Sequence, residues 1–350
     1  MTNASAPLRL HLDGAALVAN WRVMAAMSGG AACGAAVKAD GYGLGARAVV
    51  QRLAAAGCRD FFVATWAEAA ALADLVVAHD LSLSVLHGVR PEDMGAAIDS
   101  PARPVLNTPG QVARWREAGG GRACDVMVDT GMHRLGVSIE DVAAGLLDGL
   151  AIETLMSHLA CADEDVPMNE AQRSAFAGLA GRTRARRMSL ANSAGVALGQ
   201  GYGFDLTRPG IALYGGEPSA ALAERIAQVV FPQAQILQRR RVPAGGAVGY
   251  NAMWTAPRDT EVAILNLGYA DGYLRGFSGT GMASAGGAAL PVIGRVSMDL
   301  TAIDVSAAPG LAEGDWVTID YALPVASAAS GLSQYELLTG LGDRFDRLWA

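Results

Sequence analysis

The sequence predicts an α/β protein, with an amino-terminal (β/α)₈ TIM-type barrel followed by a mostly-β carboxy-terminal domain. Three observations carry this reading. Between residues 30 and about 213, short apolar runs with strand character alternate with alanine-rich stretches of helical periodicity, and alternating β and α means a parallel sheet. There are eight such runs, the number that closes a barrel. Beyond about residue 230 the rhythm changes to short apolar runs broken by Gly, Pro and Asp, a mostly-β pattern.

In chain order, the predicted barrel strands are AAVK (35–38), FFVAT (61–65), LSVLH (83–87), PVLN (104–107), CDVMVD (124–129), IETLMSH (152–158), MSLAN (188–192) and IALYG (211–215). Between them GARAVVQRLAAAG, WAEAAALADLVVAHD and NEAQRSAFAGLAGRTR place apolar residues at i, i+3, i+4 and i+7 with charges opposite. An outer ring of helices has this pattern. No G-x-G-x-x-G follows an early strand, which makes a doubly wound dinucleotide fold the weaker alternative. The later runs QAQILQRRRV, EVAILNLG, LPVIGRV, LTAIDV and DWVTID are strands of the second domain. The expected division is a barrel over residues 9–230 and a β domain over 231–350, joined by an amino-terminal strand within 1–8. No low-complexity linker separates them.

Composition removes several function classes. The 350 residues are 51% hydrophobic and carry a formal net charge of −7, so a nucleic-acid or anionic-membrane partner has little support beyond the short RRR at 239–241. No basic segment followed by an unbroken apolar stretch opens the chain, and no later stretch has the 18 or more apolar residues of a spanning helix. A cytoplasmic protein is expected. Cys33, Cys58, Cys124 and Cys161 lack CxxC spacing, so neither a metal site nor a disulfide framework is expected.

In a (β/α)₈ barrel the carboxyl ends of the strands share one mouth, where sites are built. Lys38 ends the first predicted strand, Arg134 follows the fifth, His158 ends the sixth, Asn192 and Ser193 end the seventh, and Arg208 precedes the eighth. Singly each has a bland reading: a solvated cation, a core histidine, or an Asn–Ser helix cap. Together they place polar chemistry on one rim. The amides of NSAG and GIALYG form donor-rich turns suited to a phosphate, and a lysine near such a phosphate can hold an aldehyde cofactor. Pyridoxal phosphate has both groups.

At these residues the chain strongly resembles the alanine racemase family over nearly its whole length. The resemblance lies in VKADGYGLG (37–45), DTGMHRLG (129–136), SHLACAD (157–163), ANSAG (191–195), RPGIALYG (208–215), VGYNAMWTA (248–256), LGYADGYLR (267–275) and GRVSMDLTAIDV (294–305). It implies a pyridoxal-phosphate isomerase that interconverts L- and D-alanine, supplying D-alanine for peptidoglycan or catabolising it. A broad-specificity amino-acid racemase and a non-catalytic cofactor-binding barrel are the alternatives.

By the same resemblance, Lys38 is the Schiff-base lysine, and Tyr42 bonds the cofactor phosphate beside Ser193, the Ile211 amide and the space left by Gly210. Arg208 faces the pyridine nitrogen. His158 stacks near the ring and bonds Arg208, with Asn192 beside it in the cofactor-binding set. Arg134 reaches the phenolic oxygen and the substrate carboxylate. Tyr250, Tyr269, Met298 and Asp299 belong to the β domain and serve the other subunit of a homodimer.

Racemisation removes a proton from one face of the α-carbon and returns one to the other, so two acid–base groups must flank it. The resemblance gives the D-face to Lys38 and the L-face to Tyr250. Amines and phenols titrate near pH 10 in water, so a base of either kind needs surroundings that lower it. An arginine facing the pyridine nitrogen stays charged and keeps that nitrogen unprotonated, which makes the ring a poorer electron sink and restrains side reactions. One departure from the family pattern concerns Met127, which stands where some members carry a carbamylated lysine that orients the arginine.

Overall fold

The computed structural model describes residues 6–350. The chain divides into two compact units, one formed by Leu17–Ala227 and the other by the chain through Ala16 together with Gln228–Ala350. Of the amino-terminal strand expected within 1–8, residues 1–5 lie outside the described residues. The first strand observed is Leu8–Leu12, in the β unit.

In the first unit seven segments form a parallel sheet: Ala35–Ala36, Asp60–Val63, Ser82–Val85, Arg103–Leu106, Cys124–Met127, Ile152–Met156 and Arg187–Ser189. An eighth, Leu206–Thr207, pairs in parallel with Ala32–Cys33, which continues into the first strand past Gly34. The Gly34 and Ala36 amides donate to the carbonyls of Thr207 and Pro209, both at 2.9 Å. On the opposite edge the Asp205 and Arg208 amides donate to Met188 and Ala191 at 3.0 and 2.8 Å. The sheet thus closes as a (β/α)₈ barrel. Gly34 is required at the seam, since a Cβ there would lie 2.7 Å from the Asp60 carbonyl oxygen. Helices Ala46–Ala56, Trp66–Ala78 and Pro167–Ala177 occupy the stretches read as helical.

The eighth strand is a correction. The sequence predicts it at residues 211–215, but Ile211–Tyr214 is a 3₁₀ helix and the strand lies earlier, at Leu206–Thr207. All four residues of IALY are buried, and a short run buried on every side has no periodicity that separates strand from helix. Arg208 therefore follows its strand and sits at the carboxyl end, instead of preceding it.

Alternate residues of the strands fill the barrel in layers. Phe62, Val105, Met127, Met156 and Leu206 make one apolar cluster, with Leu86 packed against it. Toward the amino ends lies a charged layer. Buried Asp125 accepts from Ser84 Oγ at 2.6 Å and from the Thr154 amide at 2.9 Å, with Arg103 Nε at 3.6 Å. Arg187 pairs with Asp60 at 2.7 Å. Met127 thus lies among apolar side chains, a poor environment for a charged group.

The second unit is built on one mixed sheet. Val230–Val242 pairs antiparallel with Leu8–Leu12, Trp316–Ile319 and Thr260–Leu265. The remaining neighbours Thr301–Asp304, Ala288–Ile293 and Met282–Ala285 complete a closed ring of six strands. Val230, Pro232, Ala234 and Ile236 alternate inward along the long strand, the period-2 pattern of a half-buried sheet. The RRR run at 239–241 meets acidic neighbours: Arg239 pairs with Glu261 at 3.3 Å and Arg241 with Asp259 at 2.5 Å. Among the described residues, no helix is long and apolar enough to cross a membrane, and no cluster of metal-ligating side chains is present. The four cysteines are free.

Candidate active site

The barrel's first strand ends at Ala36, and the Val37 amide donates to the Phe62 carbonyl at 2.8 Å. Lys38 therefore leaves the sheet at the rim, where its side chain is exposed in the single chain. The backbone beyond it is unusual. Ala39, Asp40, Gly41 and Tyr42 have φ of 53°, 50°, 64° and 57°, one turn of left-handed helix closed by Gly41 N–Val37 O and Gly43 N–Ala39 O, both 2.8 Å. Left-handed geometry costs a non-glycine residue about 1–2 kcal/mol, so the surroundings must impose it. Asp40 Oδ1 accepts from the Ala46 amide at 2.8 Å, and the Tyr42 ring stacks on Tyr214 with centroids 4.5 Å apart.

This turn delivers the Tyr42 hydroxyl to Gly210. A Cβ on Gly210 would lie 2.2 Å from that oxygen, so only glycine allows the approach. Ser193 Oγ reaches the same place, accepting from the Gly210 and Ala212 amides at 2.8 and 3.3 Å. The Ile211 amide opens the 3₁₀ helix and has no partner within it. Hydroxyls and amides from three segments thus converge. Asn192 does what the bland reading gave it: its side chain accepts from the Gly195 amide at 2.8 Å and caps the helix Ser193–Ala197.

Arg208 is buried, and its guanidinium donates to Ser189 Oγ at 2.5 Å and the Ser157 carbonyl at 2.7 Å, with His158 Nδ1 3.5 Å away. Burial lowers its pKa to about 10, opposed by the Asp125 charge, so the guanidinium stays charged at neutral pH. Burial, then the charges of Arg208, Arg134 and Lys38, push His158 down to about 3. The imidazole is neutral. Lys38 is also lowered, by desolvation first and by Arg134 and Arg208, while Glu68 opposes. Both shifts favour an uncharged base at the rim.

Neutral His158 has a consequence for stability. Its folded-state pKa lies below the ordinary 6.5, so the unfolded chain binds more protons between these values and stability falls as pH drops through that window. His158→Gln removes this contribution. The Tm of the wild-type chain is therefore expected to fall more steeply than the variant's between pH 6.5 and the acid limit of the folded state, as read by calorimetry.

Arg134 lies exposed on the loop after the fifth strand. It makes no hydrogen bond or ion pair among the described residues. The loop itself is organised by Asp129, whose Oδ1 accepts from the Gly131, Met132 and His133 amides at 2.8, 2.9 and 3.1 Å.

In the β unit, Tyr250, Tyr269 and Met298 line one cleft of about 330 Å³ with Asn251, Arg275, Arg295 and Ser297. Tyr250 is 67% and Met298 54% exposed. The Arg275 guanidinium lies over the Tyr269 ring at 5.1 Å. Asp299 points to Arg344, which donates to it at 2.8 Å and also pairs with buried Asp271 at 2.7 Å.

Sequence reasoning missed the residues that hold the others: Ser157 and Ser189 around Arg208, Asp129 in the loop that carries Arg134, and Glu68. Serine and acidic side chains carry no motif of their own here. Asp129 was legible in part, as an Asp followed by Thr-Gly in a turn.

Comparisons with known proteins cover both units. The chain matches the family model "Alanine racemase, N-terminal domain" over residues 12–218 and "Alanine racemase, C-terminal domain" over residues 229–349. It is 42% identical to the alanine racemase of Acidiphilium cryptum strain JF-5, spanning 97% of this chain and 98% of that one. It is also 42% identical to the catabolic alanine racemase of Agrobacterium fabrum, spanning 97% and 91%. The crystal structure of alanine racemase from Bartonella henselae with covalently bound pyridoxal phosphate superposes with a TM-score of 0.90 at 32% identity, covering 99% of this chain and 100% of that one.

Proposed function

The chain belongs to the alanine racemase family, and from that premise we propose that it interconverts L- and D-alanine on pyridoxal phosphate with Lys38 and Tyr250 as its two acid–base groups. The residues present fit that cofactor. The observation that carries the reading is the convergence, at the carboxyl ends of the barrel strands, of the Tyr42 hydroxyl, Ser193 Oγ and the amides around Gly210, with Lys38 just past the end of the first strand and Arg208 buried just past the end of the eighth.

When bound, the cofactor supplies the electron sink that makes the α-proton of the amino acid removable. Every other part falls to this chain. Tyr42, Ser193 and the Ile211 amide hold the phosphate by hydrogen bonds. Lys38 would hold the aldehyde carbon and would move the proton on the D-face; its lowered pKa favours an acceptor nitrogen. Arg208 remains charged and offers only donors, so a ring nitrogen facing it is held as an acceptor. His158, neutral beside it, adds no competing charge. Asn192 fixes the turn that presents Ser193, and Arg134 binds the substrate carboxylate.

Tyr250 moves the proton on the L-face. Tyr269 and Met298 narrow the cleft around it, which favours a side chain as small as a methyl group, and Asp299, next to Met298 in the chain, accepts from Arg344. We assign Tyr250 to the active site of a second copy of the chain. Its exposed setting with Met253, Met298 and Leu300 is the kind of apolar surface that a partner covers. The β unit, Gln228–Ala350 with the strand Leu8–Leu12, is then the part that reaches across, and the barrel unit Leu17–Ala227 the part that holds the cofactor.

The test is incubation with L-alanine and pyridoxal phosphate in D₂O. Deuterium entering the α-position together with loss of optical activity is the expected result, and an absorption band without exchange would overturn it.

A further inference from the structure

The left-handed turn after Lys38 is tied to the neighbouring barrel strand by a single carboxylate. Glu68 occupies the third position of helix Trp66–Ala78 and forms a capping box with Thr65, a role normally completed within the helix's own first turn. Here it reaches further. Oε2 accepts from the Ala64 and Thr65 amides at 2.7 and 3.1 Å, while Oε1 accepts from the Ala39 amide at 2.7 Å. Ala39 is the residue next to Lys38 and the first of the four with positive φ.

The same carboxylate is the anion that opposes the cations around Lys38. Arg134 and Arg208 disfavour its ammonium and His158 adds no charge, whereas Glu68 favours it. Asp40 is engaged with the Ala46 amide.

Resting on the assignment of Lys38 as the cofactor-holding lysine, we propose that Glu68 is a positioning residue for Lys38, holding the left-handed turn through the Ala39 amide and placing one negative charge beside the ammonium. A helix cap alone would do neither. Gln in its place keeps one acceptor oxygen but loses the charge and cannot receive all three amides.

The experiment follows capture of pyridoxal phosphate by the full-length chain stripped of cofactor, as a function of pH. Borohydride reduction and mass spectrometry locate the modified residue. Glu68→Gln is expected to lower the limiting capture rate at high pH by roughly ten- to a hundredfold, the scale on which misplacing a reacting group acts. Its midpoint is expected at lower pH than in the wild-type chain, because Lys38 then faces only cations. Thr65→Ala removes the other half of the capping box and is expected to lower Tm while leaving rate and midpoint unchanged. Identical capture by Glu68→Gln and the wild-type chain, or a Thr65→Ala profile that matches Glu68→Gln, overturns the proposal. Absence of wild-type modification at Lys38 would instead overturn the assignment on which it rests.

Discussion

Lys38→Ala is expected to yield a folded chain that captures no pyridoxal phosphate and exchanges no α-proton above the background of free cofactor. The folding half of this expectation rests on the setting of the side chain. Lys38 is exposed at the strand end, its side chain makes no hydrogen bond or ion pair among the described residues, and the positive φ values begin one residue later. Truncation therefore leaves no buried group unpaired and Tm should move little. The chemical half is severe because the proposed function gives one side chain two duties, covalent attachment of the aldehyde and proton transfer on one face. Loss of the second alone is worth roughly 10²–10⁴-fold, and loss of both should exceed that. The readouts are the visible absorption band and deuterium incorporation from D₂O. A band of wild-type intensity in Lys38→Ala would place the attachment elsewhere.

Tyr250→Phe should separate exchange from inversion. Cofactor capture is expected to be unchanged, because the phosphate donors and Lys38 are barrel residues. Removing the hydroxyl leaves a proton acceptor on the D-face only, so D-alanine should still take up deuterium while chirality is retained, and L-alanine should neither exchange its α-proton nor invert. Racemisation should slow by roughly 10²–10⁴-fold. Its kcat/KM should fall equally in both directions, since enantiomers have equal free energy and no variant can alter that ratio. Loss of cofactor binding in parallel with turnover would remove Tyr250 from the role of base.

The two variants together test whether the site is shared between two copies of the chain. In a mixed dimer the Lys38→Ala subunit still supplies Tyr250, and the Tyr250→Phe subunit still supplies Lys38. Mixing two inactive preparations after dissociation is therefore expected to restore activity if each β unit serves the other copy. Continued inactivity would confine each site to one chain.

Much of this was legible in the residues. The alternation of apolar runs with amphipathic helices set the barrel and its strand order, because both periodicities are properties of the local chain. The same counting located the rim, and with it Lys38, Arg134, His158 and Ser193. What remained hidden was hidden for identifiable reasons. The run IALY looks like a strand because it is apolar, yet every residue in it is buried and it folds as a 3₁₀ helix. Its placement is set by Ser193, which binds the Gly210 and Ala212 amides from another segment.

Lys38 could be read as chemistry from its neighbours in sequence, but not the backbone that aims it. Four successive left-handed residues contradict local preference, and they persist because Glu68, Tyr214 and the Ala46 amide, all outside the turn itself, hold them. The pKa shifts belong to the same class. Composition shows that a lysine, two arginines and a histidine exist; only tertiary structure buries His158 and Arg208 beside them and decides which is charged. The sequence by itself thus determined the architecture and the inventory of reacting groups, since both follow from local pattern and residue type. Their geometry and protonation were decided by the tertiary structure, because hydrogen bonding and desolvation depend on which distant segments meet.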